Sequence, residues 1–195
     1  MLNAASPPIG GAESLTLADG VVVTLRPITP ADGAALVEFH RLLSDRTVFL
    51  RYFYPHRALG ADEVDHLTRL DGRDRLALVV ECAGQLVAVG RYDRSPGRTD
   101  AEVAFVVADA FQHRGLGRVL LQRLAQAARV VGLTTFTAEV LTENSRMLAL
   151  FHESGFPTRS SVECGTVHLQ MAIGLEPDVQ EGTRQTSFVP PPSGT

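Results

Sequence analysis

A glutamine and two glycines lie where an apolar, strand-like run gives way to an amphipathic one. Residues 101–131 contain the spacing Gln112-x-x-Gly115-x-Gly117 between these two runs. Glycine has no side chain to keep a ligand away from the backbone, and the first N–H groups of a helix have no partners within it. Those donors, with the positive end of the helix dipole, suit a pyrophosphate. The spacing therefore predicts a loop that binds phosphate.

Two widespread phosphate loops do not match this stretch. A Walker loop needs Lys and then Ser or Thr after its last glycine, and no lysine follows here. A dinucleotide fingerprint needs a third small residue at position 120, which is Leu120, and an acidic residue at the end of the next strand. A plain glycine-rich turn between strand and helix remains the structural alternative for the loop taken by itself.

The segments that follow the loop are similar to those of a known enzyme superfamily. They are a strand-like run and two short motifs, namely residues 134–140, Glu143-Asn144, and Phe151 with Gly155-Phe156. In this order, and over residues 21–173, the chain resembles the GNAT superfamily of acetyl-CoA-dependent N-acetyltransferases. The resemblance implies an enzyme that transfers an acetyl group from acetyl-CoA to an amine.

Three further runs of residues indicate a closer resemblance to one group of enzymes within the superfamily. Residues 25–28, 44–53 and 101–105 are similar to the bacterial protein lysine acetyltransferases called Pat. Those enzymes acetylate a lysine on acyl-CoA synthetases. The resemblance therefore implies a protein lysine as acceptor, such as one on an acyl-CoA synthetase. A small amine as acceptor and a non-catalytic acyl-CoA-binding module remain as alternatives.

The resemblance also implies where acetyl-CoA lies. In the superfamily, the strand before the loop runs beside the pantetheine arm and splays from its neighbour. An N–H group on this strand, such as that of Val106, would then face the thioester oxygen. The expected cofactor contacts are Phe105, Val106, Val107, Gln112, His113, Arg114, Gly115, Leu116, Gly117, Arg118, Asn144 and Phe151. Asn144 is in addition expected to cap a helix.

Glu102 is the candidate general base. Its neighbours from Val103 to Val107 are apolar, so we expect partial desolvation that raises the pKa of this carboxyl toward neutral pH. The matching position in Pat-like enzymes carries a catalytic Glu. The structural alternative is an ion pair with Arg91 or Arg98. A non-catalytic sensor would need no base on this strand, so Glu102 favours an enzyme.

Two features leave the chemistry open. Many relatives place a Tyr near position 151 to protonate the departing thiolate, whereas this chain has Phe151, and no general acid can be named. Residues 46–56 are rich in aromatic and arginine side chains, and they form either a packed corner or one wall of an acceptor groove. An open groove would suit a lysine with its flanking surface, and a closed pocket would suit a small amine.

Composition is that of one globular domain. The chain has 195 residues, 45% of them apolar and 21% charged, and a formal charge of −4, so nothing attracts nucleic acid or an anionic membrane. Without a long apolar run or a secretory signal, we expect a cytoplasmic protein.

Cys82 and Cys164 suggest free thiols. No Cys or His pair has the short spacing of a zinc site, so no metal is expected.

The pattern of apolar residues predicts an α+β fold, and the resemblance implies a single GNAT-type domain at 19–174 with helices on both faces of a mixed, mostly antiparallel sheet. Residues 1–18 and 175–195 are rich in small residues and proline and are expected to be flexible tails. The predicted strands are 21–26, 76–82, 85–92, 101–108, 134–140, 158–163 and 167–173. The predicted helices are 30–43, 61–70, 116–131 and 144–154.

Overall fold

The structure is a computed structural model and describes residues 11–174. A single sheet of eight strands forms the centre of this part of the chain. The strands are β1 (Glu13–Thr16), β2 (Val22–Pro27), β3 (Arg75–Cys82), β4 (Gln85–Asp93), β5 (Asp100–Val107), β6 (Thr135–Leu141), β7 (Thr158–Glu163) and β8 (Thr166–Ala172). Their order is β1-β2-β3-β4-β5-β6-β8-β7. Every neighbouring pair is antiparallel except β5 and β6, which confirms the predicted mixed sheet.

Helices cover both faces of the sheet, as predicted. They are α1 (Gly33–Arg41), α2 (Asp45–Tyr52), α3 (Ala61–Thr68), α4 (Leu116–Val130) and α5 (Ser145–His152). On one face, α4 buries Leu120, Leu121 and Leu124 completely. On the other face, α1 and α3 form a second core that includes Phe39 and Val89. Each buried large apolar side chain contributes about 2 kcal/mol. None of the helices within residues 11–174 is long and apolar enough to cross a membrane.

The sheet is split where its two parallel strands meet. β5 and β6 are in register at only three positions, from the pair Asp100 and Thr135 to the pair Glu102 and Thr137. Beyond Glu102, β5 continues against β4 alone, and β6 continues against β8 alone. The result is a wedge-shaped gap whose narrow end lies at Glu102.

Two elements were not predicted from the sequence. Residues 13–16, which the sequence placed in a flexible tail, form the edge strand β1, and Glu13 is paired with Arg123 of α4 at 2.6 Å. Four residues are too short for a strand pattern to be recognised. Residues 1–10 and 175–195, the rest of the predicted tails, lie outside the described residues.

The second unpredicted element is α2. It begins after Ser44, whose hydroxyl accepts a hydrogen bond from the Thr47 N–H at 3.2 Å. Its eight residues include a single fully buried side chain, Val48, so the helix has almost no apolar stripe to reveal it. The N-cap serine followed by Asp45 was the signal available in the sequence. α2 packs on β5, beside the wedge.

Candidate active site

The glycine loop has the geometry that its spacing predicts. After a short 3-10 turn at Asp109–Phe111, the chain enters α4 through Gly115, which is the N-cap and has φ of +82°. A residue with a side chain would be strained in this left-handed conformation. The first amides of α4 have no partners within the helix. The start of α4 thus offers the free donors and the positive dipole end that suit a phosphate.

Gln112 holds this loop together. Its side-chain amide donates to the Val107 carbonyl and to the Thr47 hydroxyl, both at 3.2 Å, and its oxygen accepts from Arg146 at 2.8 Å. One side chain therefore connects the loop with β5, α2 and α5. These contacts make Gln112 a positioning residue for the loop, with both ends of its amide engaged.

The loop borders a cavity of about 680 Å³ between α2, the end of β5, α4 and α5. Of the predicted cofactor contacts, all except Arg114 and Phe151 line it. Its charged lining consists of four arginines and three carboxylates, namely Arg46, Arg51, Arg118, Arg146, Asp109, Glu143 and Glu153. An anionic ligand would find several cations around this cavity, which we call the first cavity.

Arg114 and Phe151 have other surroundings than the sequence predicted. The Arg114 guanidinium pairs with Asp19 at 2.7 Å and lies 4.9 Å from the centre of the Phe111 ring, so it is held at the back of the loop. Phe151 is fully buried on α5 and packs against Phe105, with ring centres 5.9 Å apart. The sequence could not show the pairing with Asp19 or the packing on Phe105, because both partners come from distant segments.

The direction of the β5 amides follows from one hydrogen bond. The Ala108 N–H donates to the Val87 carbonyl at 2.8 Å, so at this position the chain is bonded to β4. Because bonding positions alternate along an antiparallel pair, the Val106 amide is directed at β4, whereas those of Phe105 and Val107 are directed at the wedge. An N–H that faces a bound thioester would therefore be that of Phe105 or Val107, which corrects the prediction of Val106.

A second cavity, of about 230 Å³, opens at the narrow end of the wedge. Glu102, Ala104 and Glu139 line it from the sheet, and Tyr52 and Phe53 line it from α2. The two cavities share Leu50, Arg51, Phe105, Asn144 and Met147. They consequently meet in the gap between β5 and β6, which gives two substrates separate routes to one point.

Glu102 is exposed, so the predicted desolvation is wrong for this conformation. Successive side chains of a strand point to opposite faces, and the apolar neighbours Val103 and Phe105 are buried against the α4 side. The predicted alternative is also wrong, because Arg98 pairs with Asp100 at 2.8 Å and Arg91 donates to the Leu67 carbonyl at 2.7 Å. The Glu102 carboxylate therefore faces the second cavity and is paired with neither Arg91 nor Arg98.

Asn144 is confirmed as a helix cap. Its side-chain oxygen accepts a hydrogen bond from the Met147 N–H at 3.2 Å at the start of α5. The residue is buried and lines both cavities, so its side-chain NH₂ group is placed to donate to a ligand in the gap.

We expect two substitutions of Asn144 to separate these roles. Asn144→Ala loses the cap and should lower the free energy of unfolding by about 1 kcal/mol. Asn144→Asp keeps the capping oxygen, so its urea unfolding midpoint should be close to that of the wild type. It loses the NH₂ donors, so calorimetry should show that it binds acetyl-CoA at least 5-fold more weakly. Wild-type affinity in the Asp variant would leave Asn144 with the capping role alone.

The aromatic corner at 46–56 is packed, as one of the two predicted alternatives has it, and it also lines the second cavity. Rings of His40, Tyr52 and His56 pack against one another, with the Tyr52 and His56 centres 4.4 Å apart, and His56 contacts the Glu63 carboxylate at 3.0 Å. Burial raises the pKa of Tyr52 and lowers the pKa of His40. One side of Tyr52 belongs to this packed cluster and the other forms a wall of the second cavity.

Several residues of the site were missed by sequence reasoning. Arg46 pairs with Glu143 at 3.2 Å between α2 and the start of α5, and Arg146 binds Gln112. Glu139 lies beside the second cavity. The alternation of β6 was the available signal for Glu139, because it places this side chain on the same face as Thr137. Among residues 11–174, no group of three or more His, Cys, Asp or Glu side chains could hold a metal ion.

Comparison with known proteins agrees with this geometry. The model of the acetyltransferase (GNAT) family matches residues 38–156. The chain is 33% identical over 137 residues to the acetyltransferase Pat of Mycolicibacterium smegmatis, covering 67% of this chain but only 40% of that protein's length.

Solved structures have the same fold. The GNAT domain of S. lividans PAT is 36% identical, with a TM-score of 0.78 over 83% of this chain and 96% of that one. A putative acetyltransferase from Salmonella typhimurium, yncA, solved with its cofactor acetyl-CoA, is 24% identical with a TM-score of 0.62 over 82% and 96% of the two chains. The chain therefore belongs to the GNAT acetyltransferase family and is an acetyl-CoA-dependent acyltransferase.

Proposed function

We propose that this domain transfers the acetyl group of acetyl-CoA to the ε-amine of a lysine on a folded protein, and that an acyl-CoA synthetase is an acceptor. The observation that carries this proposal is the position of Glu102. Its carboxylate faces a second cavity that meets the first cavity at the wedge and is open to the surface. The similarity to the two Pat proteins supports the acceptor class.

The reaction needs no protein nucleophile. Acetyl-CoA lies in the first cavity, with its pyrophosphate on the first amides of α4 and its pantetheine arm along the free edge of β5. The N–H of Phe105 or Val107 donates to the thioester oxygen and stabilises the oxyanion, and one such donor contributes about 3 kcal/mol. These are the groups that the register of β5 directs into the wedge.

Glu102 takes the proton that the ammonium group of the acceptor must lose before it attacks, and the nitrogen loses a second proton to water as the amide forms. The nitrogen lone pair adds to the carbonyl carbon, the C–S bond breaks, and CoA leaves as a thiolate that takes its proton from water. The buried Phe151 has no proton to donate at this place. A docked acceptor would cover Glu102 and so supply the desolvation that the exposed side chain does not have in this structure.

The acceptor side of the sheet is open, which favours a protein over a small amine. On this face, α1 and α3 pack over β2, β3 and β4, while the side chains of β6, β8 and β7 that share the face of Glu102 remain accessible. Among them are Glu139, His168 and Glu163. A lysine presented on a protein surface can reach the second cavity across such a face.

The proposal has a direct test. A purified acyl-CoA synthetase is incubated with acetyl-CoA and this protein, and modified lysines are mapped by mass spectrometry. We expect one lysine at high occupancy that is absent from the enzyme-free control. No modification above that control, together with rapid CoA release on a polyamine or an aminoglycoside, would overturn the lysine assignment in favour of a small amine. We place the reaction in the cytoplasm, where the exposed Cys164 stays reduced.

A further inference from the structure

A second carboxylate lies beside the second cavity. In the register of the parallel pair, Glu102 of β5 is opposite Thr137 of β6. Glu139 follows two residues later and therefore lies on the same face, at the point where β6 has begun to diverge from β5. Both carboxylates line the cavity, one on each side of the gap.

The charge of this cavity differs from that of the first. Its charged lining is Glu102, Glu139 and a single arginine, Arg51, whereas four arginines surround the first cavity. Arg51 belongs to both cavities and has its guanidinium 5.1 Å from the Tyr52 ring centre, on the α2 side. Both charged groups on the sheet side of the second cavity are thus acidic. Its charge suits a cation, as that of the first suits an anion.

An acceptor amine reaches this place with its proton. A lysine amine has a pKa of about 10.4, so at neutral pH it arrives as an ammonium ion. Glu102 takes that proton, and a second carboxylate beside it can hold the cation in the gap before transfer. Glu139 also contacts His168, whose Nδ1 lies 3.3 Å from the Glu139 carboxylate across the pair β6 and β8, so this carboxylate is held on the open face of the sheet.

We propose that Glu139 is a positioning residue that binds the ammonium group of the acceptor and sets the preference for a cationic amine. This inference rests on the proposed function for its acceptor, but it concerns the ground-state complex and not the transfer step. Glu139 therefore contributes to acceptor affinity, and Glu102 contributes to the rate of transfer.

The test uses binding as well as turnover. Nα-acetyl-lysine amide is titrated by calorimetry into the CoA-loaded wild type and into Glu139→Gln and Glu163→Gln. Glu163 is a matched control because it is an exposed carboxylate on β7, on the same face, and does not line the second cavity. We expect Glu139→Gln to bind the probe at least 5-fold more weakly and Glu163→Gln to bind as the wild type does.

Kinetics supply the second readout. With an acceptor that the wild type acetylates, Glu139→Gln should raise the acceptor KM by 5-fold or more, leave kcat and the acetyl-CoA KM within 2-fold, and be partly rescued by Glu139→Asp. Equal probe affinity in wild type and Glu139→Gln, or no measurable binding to the wild type, overturns the inference. Glu139-dependent binding without any acetyl transfer upholds it and refutes the proposed function alone.

Discussion

Replacement of Gly117 by glutamate is expected to abolish acetyl-CoA binding in a domain that still folds. A Cβ at position 117 would lie 3.1 Å from the tip of the Leu150 side chain, in the space between α4 and α5. A longer side chain must therefore extend along the first cavity, where its negative charge meets the place proposed for the pyrophosphate. Steric exclusion and charge repulsion act in the same direction, so the effect should be large.

Gly117→Ala is the matched control for this substitution. It adds the Cβ without the charge, and alanine is more favourable than glycine in a helix by about 1 kcal/mol, which offsets the close contact with the flexible Leu150 tip. We expect calorimetry to detect acetyl-CoA binding by the alanine variant and none by the glutamate variant, while circular dichroism shows both folded. An unchanged affinity for a folded Gly117→Glu would refute the phosphate site at the start of α4.

The second large effect is expected at Glu102. Glu102→Gln keeps the shape of the side chain but cannot take a proton, so turnover should fall by roughly 100-fold or more, within the usual range for a lost general base. The acetyl-CoA affinity should stay within 2-fold, because Glu102 lines only the second cavity. Initial rates measured across a pH series separate the loss of a base from a loss of binding.

Asp100→Asn supplies the control for Glu102. Asp100 lies two residues earlier on the same face of β5, is paired with Arg98, and is not among the residues that line the second cavity. Its substitution should leave kcat near the wild-type value. If Glu102→Gln turns over at the wild-type rate at every pH, the amine loses its proton to solvent, and Glu102 is not the general base.

The parts of the site that could be predicted from sequence are those fixed by local constraints. Gly115 is required by a turn into a helix, and Asn144 is required by a cap, so residue type and spacing were sufficient. The exposure of Glu102 was also present in the pattern, since alternation along β5 separates it from Val103 and Phe105.

What could not be predicted depends on partners that are distant in the chain. The pairing of Arg114 with Asp19 spans 95 positions, and no local signal announces it. The outward amides of β5 follow from its register with β4, which a single strand does not specify. The arrangement of Glu139 across the gap from Glu102 likewise arises only when two strands are joined in parallel.

The short stretch over which β5 and β6 pair, which we call the seam, determines where the gene could be divided into two fragments. All strands on one side of the seam come from residues 11–107, and all on the other side come from residues 135–172, with α4 and the turn at Gly132 between them. Two fragments separated at that turn would each carry whole strands. The first cavity, which we propose for acetyl-CoA, is lined by residues of both fragments, so we expect acetyl-CoA to favour their association and a pair of tagged fragments to report its concentration.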